Sequence, residues 1–339
     1  MESIIRLIPR NNISSIVGEK KILRAVAPYI HPEYLNFKTA PYEAWCRSGG
    51  QVAGVHYPWR PFHGIVFRHE LPLLRQRHDE ARLRFVEPVS LLFDTFPDYA
   101  CYEIVPMFWD CWPGYFDMVC AWLRRHKVQT VIFSSWQTAE LIGEAFPDMH
   151  VIWCPEAVDA SCYDMGKPLV ERSIDLLEFG RSNEKIIQTD ALDKAKVAGK
   201  GVCHVCTRQN GKFIYTNEQL YQAMGDAKVT ISLPRSMTDP ATAGNIETLT
   251  QRYWECMLSR MVMVGHAPQE LIDFIGYNPV IELRDDISAE NLIIDVLEHI
   301  EDYQDLVDKN LATAQRLGSW MVRMPWLMEK LKQYYQVTP

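Results

Sequence analysis

Four short apolar runs in the C-terminal half constrain this chain most. They are "SIDLLEFG" (173–180), "KVTISLP" (228–234), "MVMVG" (261–265) and "PVIEL" (279–283). Their apolar residues fall at successive positions, so each run predicts a strand buried on both faces. The intervals between them have helical spacing. "ETLTQRYWECML" places Leu249, Tyr253, Met257 and Leu258 on one face, "PQELIDFIG" is bounded by Pro268 and Gly276, and "SAENLIIDVLEHI" opens on Ser288 as an N-cap. Strand and helix in strict alternation predict an α/β fold, a parallel sheet covered on both sides.

The later part of the N-terminal half repeats this grammar. "DMVCAWLRRH" (117–126) is amphipathic, "VQTVIFSSW" (128–136) and "HVIWCPEAVD" (150–159) read as strands, and "TAELIGEAF" (138–146) lies between them as a helix. Residues 1–90 are rich in proline and aromatic residues and give no readable order. Two doubly wound domains result, with the break near 160–172, where "SCYDMGKPLVER" is polar and interrupted. The expected division is 1–168, 169–318, and a last helix over 319–339 kinked at Pro325, with Trp320, Met324, Leu327 and Leu331 along one face. Two such domains would meet at the carboxyl ends of their strands, where ligands bind.

Composition narrows the function. A net charge of −8 over 339 residues disfavours a nucleic-acid binder. The densest basic cluster, Arg124-Arg125-His126-Lys127, reads as a solvated helix end. No window is long and apolar enough for a transmembrane span, and "MESIIRLIPRNN" lacks a signal-peptide core. Nine scattered cysteines then suggest reduced thiols and a cytoplasmic location. The lone Cys203-His-Val-Cys206 lacks the second pair that a zinc site normally needs, so no metal is expected.

The stretch "GNIETLTQRYWECMLSRMVMVG" (244–265) holds Glu247 and Glu255, with seven residues between them, just before a buried strand. The spacing puts Glu247 at a helix start facing a strand's carboxyl end, and Glu255 about 12 Å further along the helix. The unpaired N–H groups of that helix start would suit an anion. An elongated ligand with a central diphosphate, such as a nucleotide sugar, could meet both acids and the helix start. Two glutamates on a solvated helix face are the plainer alternative.

The Glu, seven residues, Glu spacing followed by an apolar strand resembles the C-terminal signature of group 1 retaining glycosyltransferases of the GT-B fold, in their bacterial form. "VIWCPEAVD" is similar to the strand that leads into that family's linker, and "IDLLEFGR" to the first strand of its nucleotide-binding domain. The resemblance spans roughly residues 105–325. It implies two Rossmann-like domains facing across a crevice, the acceptor on the first and the nucleotide-sugar donor on the second. It further implies that Glu247 contacts the transferred sugar and Glu255 the ribose. Thr248, Leu249 and Thr250 would line the donor, and Arg181 and Lys185 would hold the diphosphate without a metal or other cofactor. Lys185 comes one residue earlier than the family pattern, with no glycine after it. The glycine-rich loop of the family's first domain is not evident; "RSGGQVAG" (47–54) is a candidate, or a plain turn.

The implied activity is transfer of a hexose from a nucleoside diphosphate sugar to a glycan, lipid carrier, small molecule or protein. A sugar-nucleotide epimerase and a non-catalytic nucleotide-sugar binder are the rivals. On the acceptor side, the aromatic-dense "MFWDCWPGYF" (107–116) offers Trp109 and Asp110 as sugar contacts, against a reading of its rings as core.

Overall fold

In a computed structural model of the chain, the described residues are 4–5, 21–26, 35–54, 57, 59–71, 80–180, 187, 192, 194–209 and 212–335. The chain divides into two compact units. One comprises residues 1–155 and 320–339, the other residues 156–319. The division thus falls after Pro155, ahead of the polar segment 160–172.

The first unit is built on a seven-stranded sheet: β1 (Ile4–Ile5), β2 (Lys21–Val26), β3 (Gln51–Ala53), β4 (Glu80–Val86), β5 (Glu103–Phe108), β6 (Thr130–Phe133) and β7 (His150–Trp153). The order is β1-β2-β4-β5-β6-β7, with β3 also on β2, and every pairing is parallel except β1 with β2. The helices α1 (Leu35–Arg47), α2 (Arg60–His69), α3 (Leu91–Thr95), α4 (Phe116–Arg125) and α5 (Trp136–Ala145) connect the strands.

β4 escapes a search for apolar runs because its sequence, EARLRFV, alternates charge with hydrophobicity, although it lies in the sheet interior. Its charges are paired there. Arg82 Nε lies 2.6 Å from Glu80 Oε1, and Arg84 Nε donates to Asp98 at 2.5 Å. Pairing makes burial of such groups tolerable. The "RSGGQVAG" stretch is the turn from α1 into β3. A Cβ on Gly50 would lie 2.3 Å from the Trp45 indole, so this glycine serves packing.

The second unit carries a five-stranded parallel sheet: β8 (Ile174–Glu178), β9 (His204–Cys206), β10 (Ala227–Ser232), β11 (Val262–Gly265) and β12 (Val280–Glu282). The order is β9-β8-β10-β11-β12. The chain runs outward from β8 to β9, then returns past β8 to β10. The switch point of this doubly wound sheet therefore lies between the carboxyl ends of β8 and β10. β9 takes in most of the Cys-x-x-Cys stretch, and His204 shares a 2.8 Å hydrogen bond with Glu178. Helices α6 (Asn217–Asp226), α7 (Gln251–Leu258), α8 (Gln269–Ile275), α9 (Ala289–Glu298) and α10 (Gln304–Leu317) complete this unit. Ser288 caps α9 by accepting the Asn291 N–H, and Gly276 ends α8 in the left-handed region at φ 85°.

The last helix, α11 (Trp320–Tyr335), contains Pro325 and belongs to the first unit, where it packs on α1. Trp320, Met324, Leu327 and Leu331 are all buried.

Within the second unit, Arg172 is nearly fully buried and donates to four main-chain carbonyls, those of Met165, Lys167, Ala227 and Ser259. Burial pulls its guanidinium down to about 10, so it is still charged near neutrality. Arg172→Met keeps much of the volume and orphans these acceptors. We expect a loss of about 3–5 kcal/mol in urea unfolding. A loss under about 1 kcal/mol would show that the carbonyls find other partners.

Candidate active site in the second unit

Two loops at strand carboxyl ends build the site. The first leaves β10, turns at Gly244 and runs without regular structure through residues 246–250 into α7. Glu247 therefore sits on a loop, and the helix begins four residues later, at Gln251, rather than at Glu247. Two other carboxylates hold this loop. Buried Glu270 accepts the Leu249 N–H, and Glu156 accepts the Gln251 N–H at 3.2 Å. The Trp254 indole donates to the Glu156 carbonyl at 2.9 Å. The expectation that this helix start offers its N–H groups to a ligand is thus corrected for Leu249 and Gln251, whose donors serve protein acids. Thr248 and Leu249 are buried, the latter within the hydrophobic core, while Thr250 is half-buried.

The second loop follows β11. Gly265 lies against β10, and a Cβ there would come within 1.9 Å of the Ser232 carbonyl oxygen. This contact fixes the next residue, His266, whose N–H bonds Ser232 O at 2.9 Å. The His266 ring lies between two carboxylates, with Nε2 3.2 Å from Glu247 and Nδ1 2.7 Å from Glu282. Glu282 ends β12 and also accepts from the Ala267 N–H and the Asn278 amide. A neutral ring donates to one of these acids and an imidazolium to both. The chain Glu282–His266–Glu247 orients the Glu247 carboxylate, whose side chain is about a quarter exposed.

Glu255 belongs to a separate network, one turn into α7. The Tyr163 hydroxyl donates to its Oε1 at 2.9 Å. Burial raises the Glu255 carboxyl above its ordinary value of 4.5, and the tyrosine hydrogen bond opposes that rise.

Sequence reasoning passed over Arg252, which lies between the two glutamates. It reaches back to the switch point of the sheet. Its Cζ sits 4.6 Å over the Phe179 ring, and Nη1 donates weakly to Ile231 O at 3.4 Å. A Cβ on Gly180 would lie 1.5 Å from Nη2, and Gly180 adopts φ 76°. Gly180, two residues after β8, thus makes room for the guanidinium. Among the described residues, no carboxylate lies within ion-pair distance of Arg252. The signals were Gly180 and the switch in strand order, and the second becomes visible only once β9 is placed. Arg181 and Lys185, expected on the diphosphate, lie outside the described residues.

The first-unit expectations fare differently from each other. Trp109 is buried, with its ring 5.3 Å from Phe85 and 6.2 Å from Trp320, so it is core and not an open sugar platform. Asp110, just after β5, is exposed at φ 51°.

The Glu255 shift gives a sign. The folded protein holds more protons than the unfolded chain between pH 4.5 and the raised folded value, so this group costs stability as pH rises through that window. Glu255→Gln removes that cost and keeps an acceptor for Tyr163. The variant's melting temperature relative to wild type should rise from about pH 4 to about pH 7. A difference that stays flat with pH would assign Glu255 an ordinary carboxyl.

No protein-family model matches the chain, and no curated protein matches it by sequence. Solved structures do match its fold. Alr3699/HepE of Anabaena, in complex with UDP and glucose, aligns at TM-score 0.57 and 14% identity, over 92% of this chain and 99% of that one. AviGT4, a glycosyltransferase involved in avilamycin A biosynthesis, aligns at TM-score 0.51 and 13% identity, over 93% and 98%. With its two Rossmann-like parallel sheets, the chain has the GT-B fold of these glycosyltransferases.

Proposed function

We propose that the protein is a retaining glycosyltransferase that moves a hexose from a nucleoside diphosphate sugar to an acceptor. One observation carries this reading: the Arg252 guanidinium sits at the switch point between β8 and β10, with no described carboxylate within ion-pair distance. A planar fork of donors there suits a diphosphate, whose charge grows as the bond to the sugar breaks. Arg181 and Lys185 would add to it, so the departing charge is met by side chains rather than by a metal. Glu247, steadied by His266, would orient the sugar. Glu255 would accept ribose hydroxyls at its other oxygen. The unit of residues 1–155 and 320–339 would take the acceptor, and we assign to it Asp110, one of the exposed acids there. The nine free thiols fit work in the reducing cytoplasm.

A thermal-shift screen of UDP-, GDP-, ADP- and CMP-sugars tests the reading. UDP-glucose comes first, since the Anabaena protein binds UDP and glucose. At 100 times its dissociation constant the true donor stabilises the fold by about 2.7 kcal/mol. No stabilisation by any of them would contradict the proposal.

The acids and the arginine separate kinetically. Arg252→Met should lower kcat/KM by about 2–4 kcal/mol of transition-state stabilisation. Gly180→Ala should reproduce much of that loss by displacing the guanidinium. Glu255→Gln should raise KM with little change in kcat, and Glu247→Gln should lower kcat at saturating donor. Nucleotide alone should bind the Glu247 variant like wild type and the Glu255 variant poorly. Identical behaviour of the two would refute their assignment to opposite ends of one ligand.

A further inference from the structure

The first unit presents a surface of a different kind, remote in chemistry from the acid-rich site. Among its residues α2 buries only Val66. Helical rotation puts His63 and Phe67 beside Val66 on the inner face, where their rings pack on Phe96 at 4.6 and 5.5 Å. The outer face has two halves. Phe62 and Ile65 form an apolar half, 49% and 50% exposed, and Arg60 and Arg68 form an exposed basic half one rotation step away. Trp59, which precedes the helix, is 75% exposed, and Tyr57 is 61% exposed. The apolar surface continues past α2. Phe67 and Glu70 line a groove of about 460 Å³ together with Val89, Phe93 and Met118, all three well exposed.

Large exposed rings grouped in this way mark an interaction site. The charge says with what. Arg60 and Arg68 are exposed on α2 and Glu70, at its end, is the neighbouring acid, in a chain of net charge −8. The acid, Glu70, already faces Arg125 at 3.6 Å and His126 at 3.3 Å. A local excess of positive charge therefore adjoins bare aromatic and aliphatic side chains on one short helix. That pairing matches a surface with phosphates above hydrocarbon. We propose that the outer face of α2, with Tyr57 and Trp59, docks on an anionic lipid bilayer. Trp59, Phe62 and Ile65 enter at headgroup level, and Arg60 and Arg68 meet lipid phosphates. This inference stands independently of the donor chemistry.

Co-sedimentation of the full chain with vesicles tests it, using neutral phosphatidylcholine and the same lipid with about a third phosphatidylglycerol. The protein should pellet with the anionic vesicles, weakly or not at all with the neutral ones, and release as salt rises. The double variant Arg60→Gln/Arg68→Gln should lose about 25-fold in partitioning, a factor of about five for each arginine. Phe62→Ser/Ile65→Ser should lose binding to a similar degree. All four positions are exposed, so both variants should melt with wild type. Equal binding to the two vesicle types, salt-independent binding, or variants that bind like wild type would overturn the proposal. So would a concentration-dependent dimer that the Phe62→Ser/Ile65→Ser variant abolishes, since the face would then belong to a second copy of the chain.

Discussion

The buried Glu270 carboxylate on the Leu249 N–H is the contact on which the candidate site depends. Residues 246–250 make no helix or strand, so their main chain must be held by something else. Glu270, from the first turn of α8, holds the middle of the loop, and Glu156 holds its junction with α7. Hydrogen bonds to charged groups contribute about 1.5–3 kcal/mol each, enough to define an otherwise irregular segment. Glu247 and Arg252 flank this clamp, one on the loop and one on the first turn of the helix. Both owe their placement to it.

The clamp has an electrostatic consequence. The start of α7 carries positive partial charge, and the Glu156 carboxylate already answers it. An anionic ligand at this end of the sheet then relies more on side-chain cations than on free main-chain donors. Arg252 supplies one at the switch point, and Gly180 keeps the space open for it. The acids around His266 instead present acceptors suited to hydroxyl groups. Cationic and acidic groups within one unit thus suit the two halves of a nucleotide sugar.

Much of the second unit was legible in sequence, because its β8, β10, β11 and β12 are short runs rich in apolar residues and its helices have marked ends such as Ser288 and Gly276. β9 was not, since its three residues lie within a short polar stretch beside Cys203 and are ordered by pairing to β8. In the first unit, β4 hid behind paired charges, and β5 carries Pro106 within an interior strand, where proline ordinarily argues against the assignment. At the site, Glu247 and Glu255 could be picked out by spacing alone. The start of α7 was misplaced by four residues because the apolar periodicity begins at Leu249, inside the loop. Long-range partners decided the rest. Nothing local in the sequence reveals that Arg252 reaches Gly180 or that His266 lies between Glu247 and Glu282.

The most direct measurement is a crystal structure of the protein soaked with a nucleoside diphosphate sugar, beginning with UDP-glucose. The account predicts the diphosphate at the carboxyl ends of β8 and β10, within hydrogen-bond distance of the Arg252 guanidinium, with the sugar toward Glu247 and the ribose toward Glu255. A nucleotide bound away from Arg252, or with its ribose on Glu247, would contradict it.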